Sequence, residues 1–332
     1  MSDFRFIHDG RTLIAGIGSS LIDILVFENE AFLEKTGAAK GGMIYVDQNF
    51  AEKVLANSAN TPEMVPGGSA CNTIVGIGNL GGPARFVGKC GIDQLGNLFE
   101  NDLKKQNVEP ALFRSDLPTG RVLSIITPDA QRSMFTYLGA SAETMPEDIT
   151  AATFEDAAIV HIEGYLLHNV DLILAAMVAA RTAGAKISLD LASYTVVEES
   201  KEVLHKIIAD YVDILIANED EIRVYTGIAD EVESLREVAP LVDIAVLNVG
   251  ARGSLIHCHG ETHRIQASGA GPIVDTTGAG DLWASGFLYG LVKGLPVKKC
   301  GELGAACGYE VCRVTGTKIP AEGWQRIKKR LA

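Results

Sequence analysis

The sequence predicts an α/β fold: a central, mostly parallel sheet layered between helices, with a small discontinuous β-sheet lid. Three observations carry this. From about Ala158 onward short apolar runs alternate with helical patterns, the rhythm of βα units feeding a parallel sheet. Those runs are near-continuously apolar, as expected of strands covered on both faces. Before residue 140 the chain instead shows extended segments with partial polar alternation, and no helix separates the members of the second pair. The predicted organisation is a large domain over residues 1–20, 49–115 and 141–332, and a lid over 21–48 and 116–140.

In chain order, "TLIAGIG" reads as the first strand, and "LIDILVF" with "GGMIYV" as the first lid pair. A helix from Ala70 to Leu80, a strand "ARFVG" and a helix "DQLGNLFENDLKKQN" follow, then the second lid pair, "GRVLSIITP" and "RSMFTYLG". Next come the strand "AIVHIEG", a helix ending at Gly184, the strand "KISLD" and the helix "VVEESKEVLHKIIADY". The strand "DILIAN", the helix "EDEIRVYTG" and the strand "DIAVLNVG" complete the alternation. "VDTTGAGDLWASGFLYGL" (Val274 to Leu291) reads as a turn that becomes a buried helix.

Composition narrows the function. The chain has 332 residues, 47% hydrophobic and 21% charged, ample for a core and without a signature of disorder. Its net charge of -13 argues against long polyanionic partners, because nucleic-acid binding rests on many Lys and Arg contacts to phosphate. A single nucleotide stays compatible, since backbone N–H groups at a helix start hold phosphate locally. No apolar run is long enough for a membrane span and the N-terminus is charged where a signal peptide is apolar, so a soluble, cytoplasmic protein is expected. The six cysteines are scattered without a Cys-x-x-Cys pair, which points to buried free thiols.

Several stretches could carry chemistry. In Gly278-Ala279-Gly280-Asp281, small residues at a helix entry let a ligand approach the backbone, and the helix start aims N–H groups and its positive dipole end at that spot. Asp281 is either a helix cap or a base that takes a proton from a substrate hydroxyl. In "MVPGGSACNTIVGIGNLGG", Gly67-Gly68 could form a hinge or admit a sugar, with Asn72 offering hydrogen bonds. The alternative is a glycine turn with close helix packing through Gly76 and Gly78. Asp23, a lone acid in the apolar "LIDILVF", points either to solvent or into a polar pocket. "NEDE" (Asn218 to Glu221) caps the next helix or orders water around a metal ion at a strand's carboxyl end. Arg132, on a lid strand, either is a solvated surface arginine or reaches phosphate or substrate on closure. Two patterns fail their context. Gly16-x-Gly18 lacks the third glycine and the following helix of a dinucleotide site, which disfavours a dehydrogenase. "HCHGETH" reads as an exposed hairpin rather than a metal site.

Together these stretches resemble the ribokinase-like, pfkB-type family of sugar and nucleoside kinases. "GGSACNTIVGIGNLGG" with "ARFVGKCGIDQLG", and "VDTTGAGDLWASGF", match its two signatures, with "NEDE" and "NVGARG" between them in the expected order. The resemblance covers about Leu13 to Pro320 and implies a three-layer α/β/α domain with a β-sheet lid. It implies transfer of the γ-phosphoryl of ATP to a hydroxymethyl group, with Mg²⁺ and in some members K⁺. By position Asp281 would be the base, and the N–H groups of Thr277, Gly278, Ala279 and Gly280 the anion hole. Asp23, Gly67, Gly68 and Asn72 would hold the acceptor, with Glu163 and Arg132 assisting. Asn218 and Glu221 would order Mg²⁺ through water, and Asn248, Gly250 and Gly253 would lie on the nucleotide side. Asp275, Thr277, Arg313 and Gly316 fall where some members bind a monovalent cation.

Departures bear on the acceptor. Ribokinases proper tend to carry Asn where this chain has Leu21, Lys where it has Ser69, and many members carry Asn where it has Ala305. Fewer polar contacts imply a partly apolar acceptor face, and "PGGSACNT" resembles the adenosine-kinase-like branch. A kinase of free ribose, fructose or 2-keto-3-deoxygluconate is the alternative acceptor class. A catalytically silent sugar- or nucleotide-binding protein is the alternative of another kind. Lid edge strands are also where a homodimer would form.

Overall fold

The computed structural model describes residues 6–7, 9–37, 40, 42–58, 60–129 and 131–331. Its strands, in chain order, are β1 (Leu13–Ile17), β2 (Leu21–Phe27), β3 (Met43–Tyr45), β4 (Glu63–Gly67), β5 (Ala84–Gly91), β6 (Glu109–Ser115) and β7 (Gly120–Ile126). β8 (Arg132–Tyr137), β9 (Ala157–Glu163), β10 (Lys186–Asp190), β11 (Ile214–Asn218), β12 (Ile244–Asn248), β13 (Ser254–Cys258) and β14 (Glu261–Ile265) follow. The helices are α1 (Glu30–Thr36), α2 (Gln48–Ala56), α3 (Ser69–Leu80), α4 (Gln94–Lys105), α5 (Val170–Thr182) and α6 (Tyr194–Tyr211), then α7 (Glu219–Thr226), α8 (Glu231–Val238), α9 (Ala279–Val292), α10 (Val297–Val311) and α11 (Ala321–Lys328).

Nine strands form the large sheet in the order β14-β13-β12-β11-β10-β9-β1-β5-β6, parallel from β12 to β6 and antiparallel at the β13–β14 hairpin. Two apolar cores lie on its two faces. One gathers α3, α4, α9, α10 and α11 around residues such as Phe86, Phe99 and Phe287; the other gathers α5 to α8 around Phe154, Met177 and Leu204. β1 has β9 on one side and β5 on the other, so strand order reverses there. Ligands in open α/β sheets collect at such a reversal, beyond the carboxyl ends of the strands.

The second sheet, β3-β8-β7-β2-β4, is the lid. Alternation along β2 divides its residues. Ile22, Ile24 and Val26 pack with Leu33, Val54 and Phe135 on the helical side, while Leu21 and Asp23 line the cleft. α2 closes that helical side, with Phe50 and Phe135 rings 5.4 Å apart.

The lid contains one strand that the sequence reading placed in the large-domain stretch 49–115. β4 pairs antiparallel with β2, Leu21 opposite Gly67. "EMVPG" is short and carries Pro66, which has no N–H for a ladder; an edge position tolerates that. The same loss of pattern hides β6, an edge strand containing Pro110. All six cysteines are free and buried. No helix among the described residues is long and apolar enough to cross a membrane.

Candidate active site

A cleft of about 810 Å³ lies between the lid and the carboxyl ends of β1 and β9 to β12. This is the upper end of the usual range for small-molecule sites.

Asp281 sits at the third position of α9 and does not cap it. Gly278 is the N-cap residue, at φ 72°, where a side chain would be strained and a Cβ would stand 2.7 Å from Thr317 Cγ2. The Asp281 carboxylate instead turns to α3. Ser69 Oγ donates to Oδ1 at 2.8 Å and Asn72 Nδ2 donates to Oδ2 at 2.9 Å, while Thr73 Oγ1 donates to the Asp281 carbonyl at 3.1 Å. Bare backbone at Gly76 brings the two helices this close, since a Cβ there would run into the Ser285 hydroxyl, while one at Gly78 would run into the Gln106 carbonyl at the end of α4. The helix-packing reading of these two glycines therefore holds. Burial pushes the Asp281 carboxyl up to about 6, against the hydrogen bonds from Asn72 and Ser69.

Of the four N–H groups that the sequence singled out at this turn, two are already engaged. Thr277 N–H donates to Asp275 Oδ1 at 3.0 Å and Ala279 N–H to the Thr276 carbonyl at 3.1 Å. Among the described residues, the N–H groups of Gly278 and Gly280 make no hydrogen bond. Nothing stands within 4 Å of where a Cβ would lie at Gly280, so an anion can come up to the backbone there.

Asp23 lies on the cleft face of β2, and Gly67 on the neighbouring strand β4 makes room for it, since a Cβ at Gly67 would collide with its carboxylate. It points into the polar pocket rather than to bulk solvent. Burial pushes it up to about 7, with Arg132 pulling down and Asp281 pushing up. Gly68 takes φ 101° and its Cβ would stand 2.5 Å from the Ser19 carbonyl, so only glycine fits this crossing.

Glu163, at the end of β9, accepts from Ser19 N–H at 2.8 Å and Ala70 N–H at 2.9 Å. Asn218 and Glu221 form a capping box on α7: Asn218 Oδ1 accepts from the Asp220 and Glu221 N–H groups, both at 3.0 Å, and Glu221 accepts from Asn218 N–H at 2.8 Å. The cap reading of "NEDE" thus holds. Both residues also line the cleft, and burial pushes Glu221 up to about 7. Asn248 and Gly250 line the cleft at the end of β12, and Asn248 Oδ1 is buried without a partner. Gly253, at φ 96°, closes the turn into β13 by accepting from Val249 N–H, and is not among the cleft residues.

The cation reading of Asp275 meets a different arrangement. Arg132 reaches across from the lid and pairs with Asp275 Oδ2, which also accepts from Gly316 N–H at 2.8 Å. Oδ1 accepts from Thr277 N–H and, at 2.8 Å, from Thr277 Oγ1. Four donors fill the lone-pair positions of one carboxylate, and one donor is itself a cation, so a monovalent ion does not fit its side chain. Arg313 faces Glu310 instead, at 3.3 Å.

Several cleft residues escaped the sequence reading, Asp190 and Thr136 among them. Asp190 ends β10 between Glu163 and the Asn218 turn, and burial pushes it well above the carboxylate range, with Glu221 and Asp281 adding to the effect. Only its place at the carboxyl end of "KISLD" could have flagged it. Thr136, on β8, is buried with its hydroxyl unpartnered and lines the cleft. In the hairpin "HCHGETH", His257 Nδ1 lies 2.9 Å from Thr262 Oγ1 across β13 and β14. No group of three or more His, Cys, Asp or Glu among the described residues is placed to hold a metal.

Burial of Asp23, Glu163, Glu221 and Asp281 makes stability pH-dependent. Each carboxyl holds its proton to about pH 6–7 when folded but loses it near pH 4 when unfolded, so the folded state binds more protons in between. Stability therefore falls as pH rises from about 4 to 7. Glu310, which Arg326 holds below the ordinary range, acts in the opposite sense but only at lower pH. The thermal midpoint of the free protein should be several degrees higher at pH 5 than at pH 8, and D281N, which removes one such group, should reduce that difference. Equal midpoints would contradict the arrangement.

The chain thus combines a ribokinase-like three-layer α/β frame with a lid-covered cleft that holds a carboxylate and open N–H groups at one helix entry. The chain belongs to the pfkB family of carbohydrate kinases, whose model matches residues 31–323. A probable sugar kinase from Rhizobium etli superposes with a TM-score of 0.88 at 32% identity, covering 96% of this chain and 98% of that one. The adenosine kinase of Sinorhizobium meliloti gives 0.88 at 30%, covering 97% and 100%. A nucleoside kinase from Methanocaldococcus jannaschii is 27% identical over 80% of this chain and 85% of its own length.

Proposed function

We propose that the protein is an ATP-dependent kinase that phosphorylates a hydroxymethyl group of a nucleoside, with adenosine the preferred acceptor. The observation that carries the phosphoryl-transfer reading is Asp281 beside the unpaired N–H groups of Gly278 and Gly280. In this reading Asp281 accepts the acceptor hydroxyl's proton as that oxygen attacks the γ-phosphorus. The N–H groups and the α9 dipole then stabilise charge on the equatorial oxygens. Asn72 and Ser69 keep the carboxylate oriented.

Nucleotide and metal fit the residues present. The open backbone at Gly280 and the orphaned Asn248 Oδ1 suit a nucleotide phosphate chain and its base or ribose side. Asn218 and Glu221 would hold Mg²⁺ through water, a mode this ion prefers, and the ion would offset phosphate charge. Potassium is not part of the reading.

The cleft wall supports a nucleoside as the acceptor. Leu21, Met43, Tyr45, Val122, Met134 and Tyr165 face Asp23, Asn72 and Thr136, so a flat apolar ring and a few hydroxyls are matched at once. A ribose or fructose would leave most of that wall uncovered. The adenosine- and nucleoside-kinase relatives support this reading, while the sugar-kinase relatives make a free sugar the alternative. ADP release with adenosine but not 5′-deoxyadenosine, which lacks the acceptor hydroxyl, tests the reaction; equal ADP release with both would refute transfer to that hydroxyl. The exposed edge strand β3 is where two protomers would pair, and sedimentation of the free protein tests that.

A further inference from the structure

We infer that Glu163 is a positioning residue: its carboxylate fastens together the two chain crossings between the large sheet and the lid. It thereby sets where Asp23, Ser69 and Asn72 stand relative to Asp281. This rests on the kinase reading for its kinetic consequence only.

Residues Gly18 to Ser20 carry the chain from β1 in the large sheet to β2 in the lid, and Gly67 and Gly68 carry it back from β4 to α3. Each Glu163 oxygen takes one crossing, Oε1 at Ser19 N–H and Oε2 at Ala70 N–H. The crossings also touch, because Gly68 packs on the Ser19 carbonyl. Space for the carboxylate is made by Gly18, where a Cβ would run into it. Ala70 lies between Ser69 and Asn72, the two residues that hold Asp281, and Ser19 lies four residues before Asp23. One carboxylate thus reaches both the acceptor side and the base through single backbone contacts.

This differs from a role as a sugar ligand. Glu163 borders the cleft but is only 1% exposed, and each of its oxygens already accepts from a backbone donor, which leaves a substrate hydroxyl little surface to meet. A buried carboxylate is costly unless its hydrogen bonds are made, and here the charged form is the one that serves two N–H donors. Burial pushes its pKa up to about 7 nonetheless.

The test is E163Q together with G18A. Glutamine keeps the shape but points an NH₂ at one of the two N–H donors, and a Gly18 methyl displaces the carboxylate without altering it. Two readouts are needed. Amide exchange, read residue by residue, should show Ser19 and Ala70 at least roughly tenfold faster in both variants, the scale of one charge-assisted hydrogen bond. Exchange in the middle of α9 should be unchanged. Turnover should fall at least roughly tenfold with the ATP KM within about twofold, because the base is displaced while nucleotide groups are not. A rise in acceptor KM at unchanged kcat would mean a direct ligand role and overturn the inference. Unchanged exchange at both amides would overturn it too, whether or not the protein is an active kinase.

Discussion

Replacing Asp281 by Asn should lower kcat by about two to four orders of magnitude, the range for loss of a general base, while ATP affinity stays within a few-fold. Asparagine preserves size and can still accept from Ser69 or Asn72, so the helix entry keeps its form and the N–H groups of Gly278 and Gly280 stay in place. What disappears is the ability to take a proton. The wild-type pH profile supplies a second check. Burial raises this carboxyl to about 6, and only its deprotonated form serves as base. The kcat/KM of the free enzyme should therefore climb with pH through about 6 and then level. Turnover near wild type in D281N, or a flat profile between pH 5 and 7, would remove Asp281 from the reaction.

Asp23→Ala should raise the acceptor KM by about 100-fold or more and leave the ATP KM within about threefold. Hydrogen bonds to a charged group contribute about 1.5–3 kcal/mol each, so one or two hydroxyl contacts account for this scale. Asp23 is held on the lid beside Gly67, and no hydrogen bond from the described residues satisfies it in the free protein. An acceptor with adjacent hydroxyls gives it partners. Initial rates with each substrate varied in turn measure the effect, and equal weakening of acceptor and ATP would show that Asp23 instead shapes the whole cleft.

Much of this was legible in the sequence because it is local. A buried parallel strand needs a continuous apolar run, and "AIVHI", "DILIAN" and "DIAVLN" announce themselves. The glycine pairs flag close approach wherever they fall. The missed elements are those whose identity is decided by a distant partner. β4 is a strand because β2 accepts it, and its proline removes the pattern that would have shown it. Asp281 is the sharper case. Its own neighbourhood allowed a cap or a base, and the structure places Gly278 at the cap and aims the carboxylate at Ser69 and Asn72, about 210 positions earlier. Asp275 ran the other way: position suggested a cation site, but Arg132 from a different sheet already occupies its carboxylate. Nothing in either local stretch foretells that pairing. Ser69, which in sequence looked like the loss of a lysine, proves to be one of the two groups that hold Asp281.

The central claim is that the cleft serves a nucleoside. Steady-state kcat/KM measured with Mg·ATP across adenosine, other nucleosides, ribose, fructose and 2-keto-3-deoxygluconate tests it most directly. The account predicts adenosine first, by at least roughly tenfold over every free sugar, because a nucleoside base adds a flat apolar face to meet Tyr45, Met134 and Tyr165. A free sugar phosphorylated more efficiently than every nucleoside would contradict it.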